Sequence, residues 1–175
     1  KSGEELFAYV PNGVYENLSK LTSVDYSHAY FVDGSPTVGD AYFDGAWHTM
    51  LVGGLGAGGK SVFALDVTEF ATKAPELAVP TASKIVKWEI SDADDIGLTY
   101  SKPQIARLNN GEWAAIFGNG YNSKNEQAFL YVVNIKTGSV IKKRAAGAAG
   151  SNGLSTPALY DEDGDRIIDY VYAGD

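Results

Sequence analysis

Apolar and polar residues alternate in short runs along most of the chain, and the runs recur three times in a similar order. Each copy starts with Ser or Thr near a proline, becomes apolar, turns through glycine, resumes with a bulky residue and ends near glycine. This alternation is typical of β-strands joined by tight turns, so each copy predicts a β-hairpin. The copies run from Ser35 to Gly54, from Ser101 to Gly120 and from Ser155 to Asp175.

Two of the hairpins are followed by two further apolar runs, which complete units of four strands. The runs are "SVFALDVT" and "KIVKWEI" after the first hairpin, and "AFLYVVNI" and "SVIKKRA" after the second. Repeated four-stranded antiparallel units are typical of the blades of a β-propeller, which closes with about four to eight of them. We therefore expect an all-β fragment of one propeller domain, residues 1–175, cut from a longer protein. Its expected parts are the tail of one blade (about 1–34), two whole blades (about 35–91 and about 101–144) and the front half of another (about 155–175).

One segment near the start departs from the strand pattern. In "NGVYENLSKLTS", the apolar residues Val14, Leu18 and Leu21 have the spacing of one helical face, and Asn12 is a plausible N-cap. The segment predicts a short helix, inserted between the last strands of an earlier blade.

Composition and charge exclude several classes of function. The chain of 175 residues carries a net charge of −8, which disfavours nucleic-acid backbones and anionic membrane surfaces. No apolar run approaches the roughly 18 residues of a membrane-spanning helix, so no membrane insertion is expected. Cysteine is absent, which excludes disulfides, thiolate metal sites and a cysteine nucleophile. No nucleophile–base pair can be assembled from the sequence, and we expect no enzyme.

The stretch "GLGAGGKS", Gly54 to Ser61, matches the nucleotide-binding pattern GxxxxGK[ST]. That pattern would assign Lys60 to the phosphates and Ser61 to magnesium, but it requires a helix that begins at the lysine. The residues that follow are β-branched, aromatic and alternating, and a strand precedes the motif. A glycine-rich link between two strands is a hairpin loop, so we reject the nucleotide interpretation.

The strongest chemical signal is "DEDGDRIID", residues 161–169, in the turn of the third hairpin. Four aspartates in nine residues repel each other unless a cation lies among them. Calcium takes six to eight oxygen ligands, and ligands at alternate positions of a tight loop converge on one centre. The predicted ligands are the carboxylates of Asp161, Asp163, Asp165 and Asp169 and the backbone carbonyl of Ile167.

Other residues of this loop have predicted roles of their own. Gly164 eases the bend, Glu162 and Arg166 are expected to face solvent, and Ile168 is expected to turn into the core. The loop begins like an EF-hand, but position 6 is Arg166 rather than Gly and position 12 is Tyr172 rather than Glu. Magnesium and zinc fit this set of oxygen donors less well. A solvated acidic turn that holds no metal is the alternative.

Two further groups have weaker signals. The aspartates of "SDADDIG", Asp92, Asp94 and Asp95, lack a closing carboxylate, so a turn or capping role is expected for them. The two histidines, His28 and His48, stand alone in the sequence, and we expect structural hydrogen bonding or surface exposure.

Bulky residues recur at one position of the repeat. Trp47 follows Pro36 by 11 residues, and Trp113 follows Pro103 by 10. Ile168 follows Pro157 by 11 and is predicted to take the corresponding place. Together with Trp88, the two tryptophans are expected to pack between blades rather than to form a sugar platform.

Two stretches resemble the blade-docking repeat of pyrroloquinoline-quinone dehydrogenases, A-x-D-x-x-T-G-x-x-x-W. They are "FALDV" followed later by Lys87 and Trp88, and "VVNIKTGSVI". In the second copy Asn134 replaces the Asp and Lys142 the Trp, and the first copy carries a long insertion. The resemblance implies quinoprotein-like blades, whereas these departures argue against bound quinone.

Nearly the whole chain resembles the C-terminal propeller of the PilC/PilY-type type IV pilus tip adhesin and biogenesis family. The similar stretches are "LFAYVPNGVYENLSKL", "YSHAYFVDGSPTVGDAYF", "GGLGAGGKSVFALDVT", "YSKPQIARLNNGEWAAIFGNGYNS" and "GLSTPALYDEDGDRIIDYVYAGD". The resemblance implies an extracellular or outer-membrane-associated protein at the pilus tip, with roles in pilus extension against retraction, surface attachment and twitching motility. It implies minor pilins as partners, and binding to host or abiotic surfaces through regions outside this fragment.

In that family a calcium loop of this type couples ion occupancy to pilus function, and it would map onto Asp161, Asp163, Asp165, Ile167 and Asp169. The expected function is therefore that of a non-enzymatic, calcium-binding propeller that supports pilus biogenesis and adhesion. A quinone-dependent dehydrogenase and a calcium-stabilised propeller that binds glycans through exposed aromatics are the alternatives.

Overall fold

The computed structural model of the protein describes residues 5–71, 79–147, 150 and 153–174. Its strands are β1 (Thr37–Phe43), β2 (Ala46–Gly54), β3 (Val62–Asp66), β4 (Val86–Ile90), β5 (Gln104–Leu108), β6 (Trp113–Gly118), β7 (Ala128–Asn134), β8 (Val140–Ala146), β9 (Ala158–Tyr160), β10 (Ile167–Ile168) and β11 (Tyr170–Tyr172). Its helices are α1 (Asn12–Tyr15) and α2 (Val79–Ile85), with 3₁₀ turns at Leu18–Thr22, Gly56–Gly58 and Thr68–Ala71.

Strands β1 to β4 form the first sheet, blade 1, in which each strand pairs antiparallel with the next. The β1–β2 hairpin closes through Asp44 and Gly45, which both have positive φ (53° and 79°). Such two-residue turns match the right-handed twist of the flanking strands. The predicted all-β architecture of four-stranded antiparallel blades is confirmed here and in the second sheet.

Strands β5 to β8 form blade 2, again antiparallel and in chain order. A fifth strand, β10, joins blade 2 at the β5 edge and runs parallel to it. Strands β9 and β11 form an antiparallel pair in a sheet of their own, which we call blade 3. Because β10 lies between β9 and β11 in the chain, the third hairpin contributes to two sheets.

Apolar side chains fill the space between the sheets in layers. Successive residues of a strand face opposite sides, so blade 1 directs Met50 and Val52 toward blade 2 and Leu51 away from it. The layer between blades 1 and 2 includes Phe117 and Tyr131, which are almost fully buried. A second layer lies between blade 2 and blade 3, and a third is formed by the far face of blade 1 with residues of the N-terminal segment.

The predicted helix in the N-terminal segment is present only as short pieces, α1 and the 3₁₀ turn Leu18–Thr22. Val14 is buried, with 2% of its surface exposed, but Leu21 is 54% exposed, so the predicted common face with Leu18 is wrong. The change from α to 3₁₀ geometry rotates the later residues away from the face of Val14. The described residues from 5 to 34 form no strand, and the predicted tail of an earlier blade stays a prediction.

The start of α1 is capped by a distant side chain. Pro11, not Asn12, occupies the N-cap position, and no side chain of the segment itself caps the helix. The Glu89 carboxylate of β4 instead accepts hydrogen bonds from the backbone N–H groups of Asn12 and Gly13, at 2.7 and 2.8 Å. The predicted Asn12 cap is therefore wrong, because an acid 77 residues away satisfies these donors.

The long connection between β3 and β4 contains a second helix that the strand pattern did not predict. The sequence predicts a strand from Lys84 to Ile90, but Lys84 and Ile85 belong to α2 and β4 begins at Val86. Proline near the start of a helix costs little, because its missing N–H would have no intrahelical partner there. Within the described residues, no helix combines the length and the apolar character needed to cross a bilayer.

Candidate metal centre

The acidic loop, residues 161–169, connects β9 to β11 at the place where blade 1 has only the turn Asp44–Gly45. Tyr160 pairs with Tyr170 at the base of the loop, and the Asp169 N–H donates to the Tyr160 carbonyl at 3.1 Å. The loop therefore starts and ends at a closed pair of strands, as the hairpin prediction requires.

Three of the four aspartates direct carboxylate oxygens to one place. One oxygen each from Asp161, Asp163 and Asp169 lies within 4.8 Å of the other two, with Asp161 half-buried and the others exposed. Asp165 does not belong to this group; its Oδ1 accepts a hydrogen bond from the Ile167 N–H at 2.7 Å. The structure thus brings together three of the four predicted carboxylate ligands.

Backbone N–H groups of the loop hold these carboxylates in place. Both oxygens of Asp161 accept hydrogen bonds, Oδ1 from the Gly164 N–H at 2.7 Å and Oδ2 from the Arg166 N–H at 2.8 Å. Asp169 Oδ2 accepts from the Glu162 N–H at 2.9 Å. Because the donors are main-chain groups, the acids are positioned by the fold of the loop itself.

Two residues of the loop have left-handed backbone conformations, Gly164 with φ of 80° and Arg166 with φ of 68°. Glycine accepts such values freely, whereas for other residues they are uncommon and costly. Arg166 stands at the sixth position, where an EF-hand loop has glycine for a sharp turn. The chain makes the same kind of turn at this point despite the Cβ atom of the arginine.

The chemistry of the loop fits a hard cation that binds oxygen. Asp163 Oδ2, Asp165 Oδ2 and Asp169 Oδ1 accept no hydrogen bond from any described residue, and no described Lys or Arg pairs with these acids. Acid groups with unused lone pairs and no cationic partner are the donors that calcium takes. Calcium binding by Asp161, Asp163, Asp165, Ile167 and Asp169 remains a prediction.

The loop also contains a contact that the sequence did not reveal. Ile167 and Ile168 form β10 and pair in parallel with Arg107 and Leu108 of β5, in blade 2. Ile168 packs in the layer between blades 2 and 3, in agreement with its predicted inward direction. Glu162 and Arg166 are exposed, as predicted. The adjacent β-branched residues of "RIID" are the only sequence signal for the extra strand.

The repeat spacing placed Ile168 where blades 1 and 2 have tryptophan, and this assignment is wrong. Trp47 pairs with Tyr42 in the first hairpin, and Trp113 pairs with Arg107 in the second. In the third hairpin Tyr170 has the corresponding position, opposite Tyr160. The acidic loop inserts residues before the returning strand, so equal spacing in sequence does not mean equal position in the sheet.

The aspartates of the 92–95 turn have the predicted turn role and also bind a lysine. Asp92 Oδ1 accepts hydrogen bonds from the backbone of Asp94 and Asp95, at 3.2 and 3.3 Å. Lys143 of β8 pairs with Asp95 and also with Asp92, the latter at 3.0 Å. Although desolvation raises it, the hydrogen bonds from Lys143 and Tyr131 hold the pKa of Asp92 below its ordinary value.

Lys124 pairs with Asp94 at 2.7 Å, so the three aspartates of this turn share two lysines. Desolvation raises the pKa of Tyr131, which donates to Asp92, to about 12. Every carboxylate of this cluster therefore has a lysine partner.

Both histidines have structural contacts. His48 stacks on Phe43 with ring centroids 3.9 Å apart, and its Nδ1 lies 2.7 Å from Asp66 Oδ2. His28 makes an edge contact with Tyr30 at 4.8 Å. Both observations agree with the predicted structural or surface role.

The tryptophans contact neighbouring blades, as predicted. The buried Trp88 indole of blade 1 donates to the Ile135 carbonyl of blade 2 at 2.8 Å. Trp47 and Trp113 meet edge to face across the same boundary, with centroids 5.8 Å apart. Trp47 nevertheless stays 61% exposed.

The rejected nucleotide motif is a link between strands. β2 ends at Gly54, a 3₁₀ turn covers Gly56–Gly58, and β3 begins at Val62. Lys60 donates to the Asn122 carbonyl, and Ser61 donates to Glu89. No helix begins at the lysine, so the motif lacks the N-terminus that would face a phosphate.

Comparison with known proteins adds the family context. The family model of the PilY1 β-propeller domain matches residues 3–175. The chain belongs to this family. Type IV pilus biogenesis factor PilY1 of Pseudomonas aeruginosa strain UCBPP-PA14 is 48% identical over 181 residues, an alignment that covers 100% of this chain and 15% of the relative. A PilY1 homolog of Xylella fastidiosa strain Temecula1 is 47% identical over 99% of the chain and 12% of its own length.

The chain also resembles a solved PilY1 structure. The crystal structure of the Pseudomonas aeruginosa PilY1 C-terminal domain aligns with a TM-score of 0.78 at 42% identity, covering 99% of this chain and 32% of that one. The chain therefore spans about a third of the solved PilY1 domain and a much smaller share of the full-length relatives. It is a β-propeller region of the PilY1 family.

Proposed function

We propose that the chain is the calcium-binding region of the propeller of a type IV pilus biogenesis factor. The observation that carries the calcium site is the convergence of oxygens from Asp161, Asp163 and Asp169 within 4.8 Å of one another, without a cationic partner among the described residues. Asp165 and the carbonyl of Ile167 complete the proposed ligand set. Calcium suits it because it prefers oxygen donors and tolerates an irregular cage.

The bound ion acts on a loop that is already partly arranged. The main chain fixes Asp161 through two hydrogen bonds, so the ion needs only to draw in the free oxygens of its neighbours. It removes the repulsion among the carboxylates and holds the loop in one conformation. Rotation of the Asp165 side chain away from the Ile167 N–H brings a fourth carboxylate to the ion.

The role in the pilus follows from the family and its relatives, which are named type IV pilus biogenesis factors. We assign to the parent protein a place at the pilus tip or outer membrane, contacts with minor pilins, and a part in extension against retraction, adhesion and twitching. This region contributes by presenting a calcium-dependent surface and has no catalytic role. A quinone in the purified full-length protein, visible in its absorbance spectrum, would contradict the non-catalytic role.

Calorimetric titration of the complete propeller with calcium tests the site. We expect binding to the unmodified protein and a large loss of affinity in Asp161→Ala and in Asp169→Ala. Asp25→Ala is the matched control, because Asp25 is equally acidic, exposed and remote from the loop in sequence. Unchanged calcium affinity in both loop variants would contradict the proposed site.

The cellular role is tested with the full-length protein in a piliated bacterium that lacks its own copy. Asp161→Ala is expected to reduce twitching and surface pili under calcium concentrations at which the Asp25→Ala control restores both. If both variants restore twitching and surface pili equally, calcium binding by the loop is not needed for pilus function.

A further inference from the structure

The acidic loop joins two blades, and no other hairpin turn among the described residues does so by strand pairing. β10 adds to the β5 edge of blade 2, while β9 and β11 on either side of it belong to blade 3. We propose that calcium binding in the loop fastens blade 3 to blade 2, so that the ion controls the packing of these two blades. This inference rests on the proposed calcium site.

The boundary between blades 1 and 2 shows what a junction without such a loop looks like. There β1 packs against β5 without pairing, and the contacts come from side chains and single hydrogen bonds. Thr37 donates to the Pro103 carbonyl at 2.6 Å, the Trp88 indole binds the Ile135 carbonyl, and Lys136 pairs with Asp44. None of these contacts involves a group that the proposed ion would hold.

Ile168 is central to the coupling. Ile168 lies between two proposed ligands, the Ile167 carbonyl and the Asp169 carboxylate, and its side chain packs in the layer between blades 2 and 3. An ion that holds both neighbours fixes the main chain on each side of Ile168. The side chain is then held against the apolar surface that includes Leu108, and β10 stays paired with β5.

The same junction has a second, ion-independent attachment at the start of the strands. The Lys102 N–H donates to the Thr156 hydroxyl at 2.9 Å, and the Ser101 hydroxyl donates to the Ser155 carbonyl at 3.4 Å. These contacts precede β5 and β9, whereas β10 meets the far end of β5. In addition to the apolar layer between them, blade 3 is thus attached to blade 2 at one end by these hydrogen bonds and at the other by the loop.

Thermodynamic linkage between calcium binding and docking of the loop allows a test in which every proposed calcium ligand is kept. If calcium favours the docked loop by some factor, docking must raise the calcium affinity by the same factor. Ile168→Ala and Leu108→Ala remove the apolar contact and leave every proposed ligand in place. In titrations of the complete propeller with calcium, we expect both to weaken binding about tenfold. Ile105→Ala is the matched control, since Ile105 lies on the same strand but packs toward blade 1.

Amide hydrogen exchange in the complete propeller measures how stably the loop pairs with β5 at the boundary between blades 2 and 3. Calcium should slow exchange in peptides covering residues 104–110 and 165–170, and leave peptides from β1 and β2 unchanged. Ile168→Ala should abolish the effect in 104–110. If calcium binds but affinity is the same in all three alanine variants and exchange in 104–110 does not respond, the coupling is wrong while the calcium site stands. If calcium does not bind the unmodified protein, the proposed function itself fails.

Discussion

The protein contains two acidic clusters of similar composition that differ in the groups that face their carboxylates. In the turn at residues 92–95, the carboxylates meet Lys143 and Lys124, which arrive from elsewhere in the chain. In the loop at residues 161–169, the carboxylates meet backbone N–H groups and no described lysine or arginine. Main-chain donors orient an acid but leave its net charge. Each acid of the first cluster has a lysine partner, whereas the acids of the second have none among the described residues and would gain most from an added cation.

Calcium should therefore stabilise the propeller through the second cluster alone, and this is the largest effect that we expect. At free calcium about one hundred times the dissociation constant, an ion that binds only the folded state adds about 2.7 kcal/mol to the free energy of unfolding. Denaturant unfolding with and without calcium measures it. Asp163→Lys places a built-in cation in the loop and should remove the response, whereas a full calcium response in this variant would contradict the comparison.

Replacement of Lys143, which pairs with two acids of the first cluster, should lower the free energy of unfolding whether or not calcium is present. Lys143→Met keeps much of the side-chain volume but leaves Asp92 and Asp95 without their charged partner. The pairs are part-exposed, with 28% of the lysine side chain and 35% of that of Asp92 accessible, so a loss of about 1–2 kcal/mol of unfolding free energy is expected. Calcium rescue of this variant would show that the first cluster also binds the ion.

Low pH should reduce the contribution of the first cluster to stability. The pKa of Asp92 in the folded protein is below its ordinary value of 3.8, despite desolvation that raises it, because Lys143 and Tyr131 hydrogen-bond the carboxylate. Its contribution to stability is therefore fully present above pH 3.8 and is lost as the pH falls through the lower, folded-state pKa. In calcium-free unfolding experiments, Asp92→Asn should flatten this acid limb. If the dependence of unfolding free energy on pH is the same in this variant, groups other than Asp92 cause the acid sensitivity.

The smallest effect concerns the strained turn of the second cluster. Arg166 has a φ of 68°, so Arg166→Gly relieves the left-handed conformation but adds freedom to the unfolded chain. We expect a change in unfolding free energy below about 1 kcal/mol and an unchanged number of bound calcium ions. Thermal unfolding and titration measure the two quantities. A loss of the ion would mean that the arginine itself supports the site.

Much of the fold and of the candidate site could be predicted because the signals are local. Alternation in "VFALD" and "AFLYVVN" marks strands that pair with their neighbours in the chain, and the acidic pattern marks the loop. Turn chemistry is local as well, and the predicted turn role of Asp92 is confirmed by its hydrogen bonds to the next residues.

Contacts between distant parts of the chain escaped prediction. Lys143 lies 48 residues from Asp95, and the pattern of β8 gives no reason to direct it there. Glu89 of β4 caps α1, and the local residue Asn12 does not. The α2 helix was missed because its sequence lies next to a strand pattern and within a long connection. Each case depends on which surfaces the folded sheets bring together.

The sequence by itself determined the repeated hairpins, the four-stranded blades and the one turn where four aspartates alternate, because periodicity and side-chain charge act between neighbouring residues. The tertiary structure alone decided that the acids at 92–95 pair with lysines, while those at 161–169 pair with no lysine in the described part of the chain. It also decided that Ile167 and Ile168 leave their own hairpin to pair with Arg107 and Leu108. Strand pairing between blades depends on how the sheets stack, and no local pattern in the chain encodes that distance.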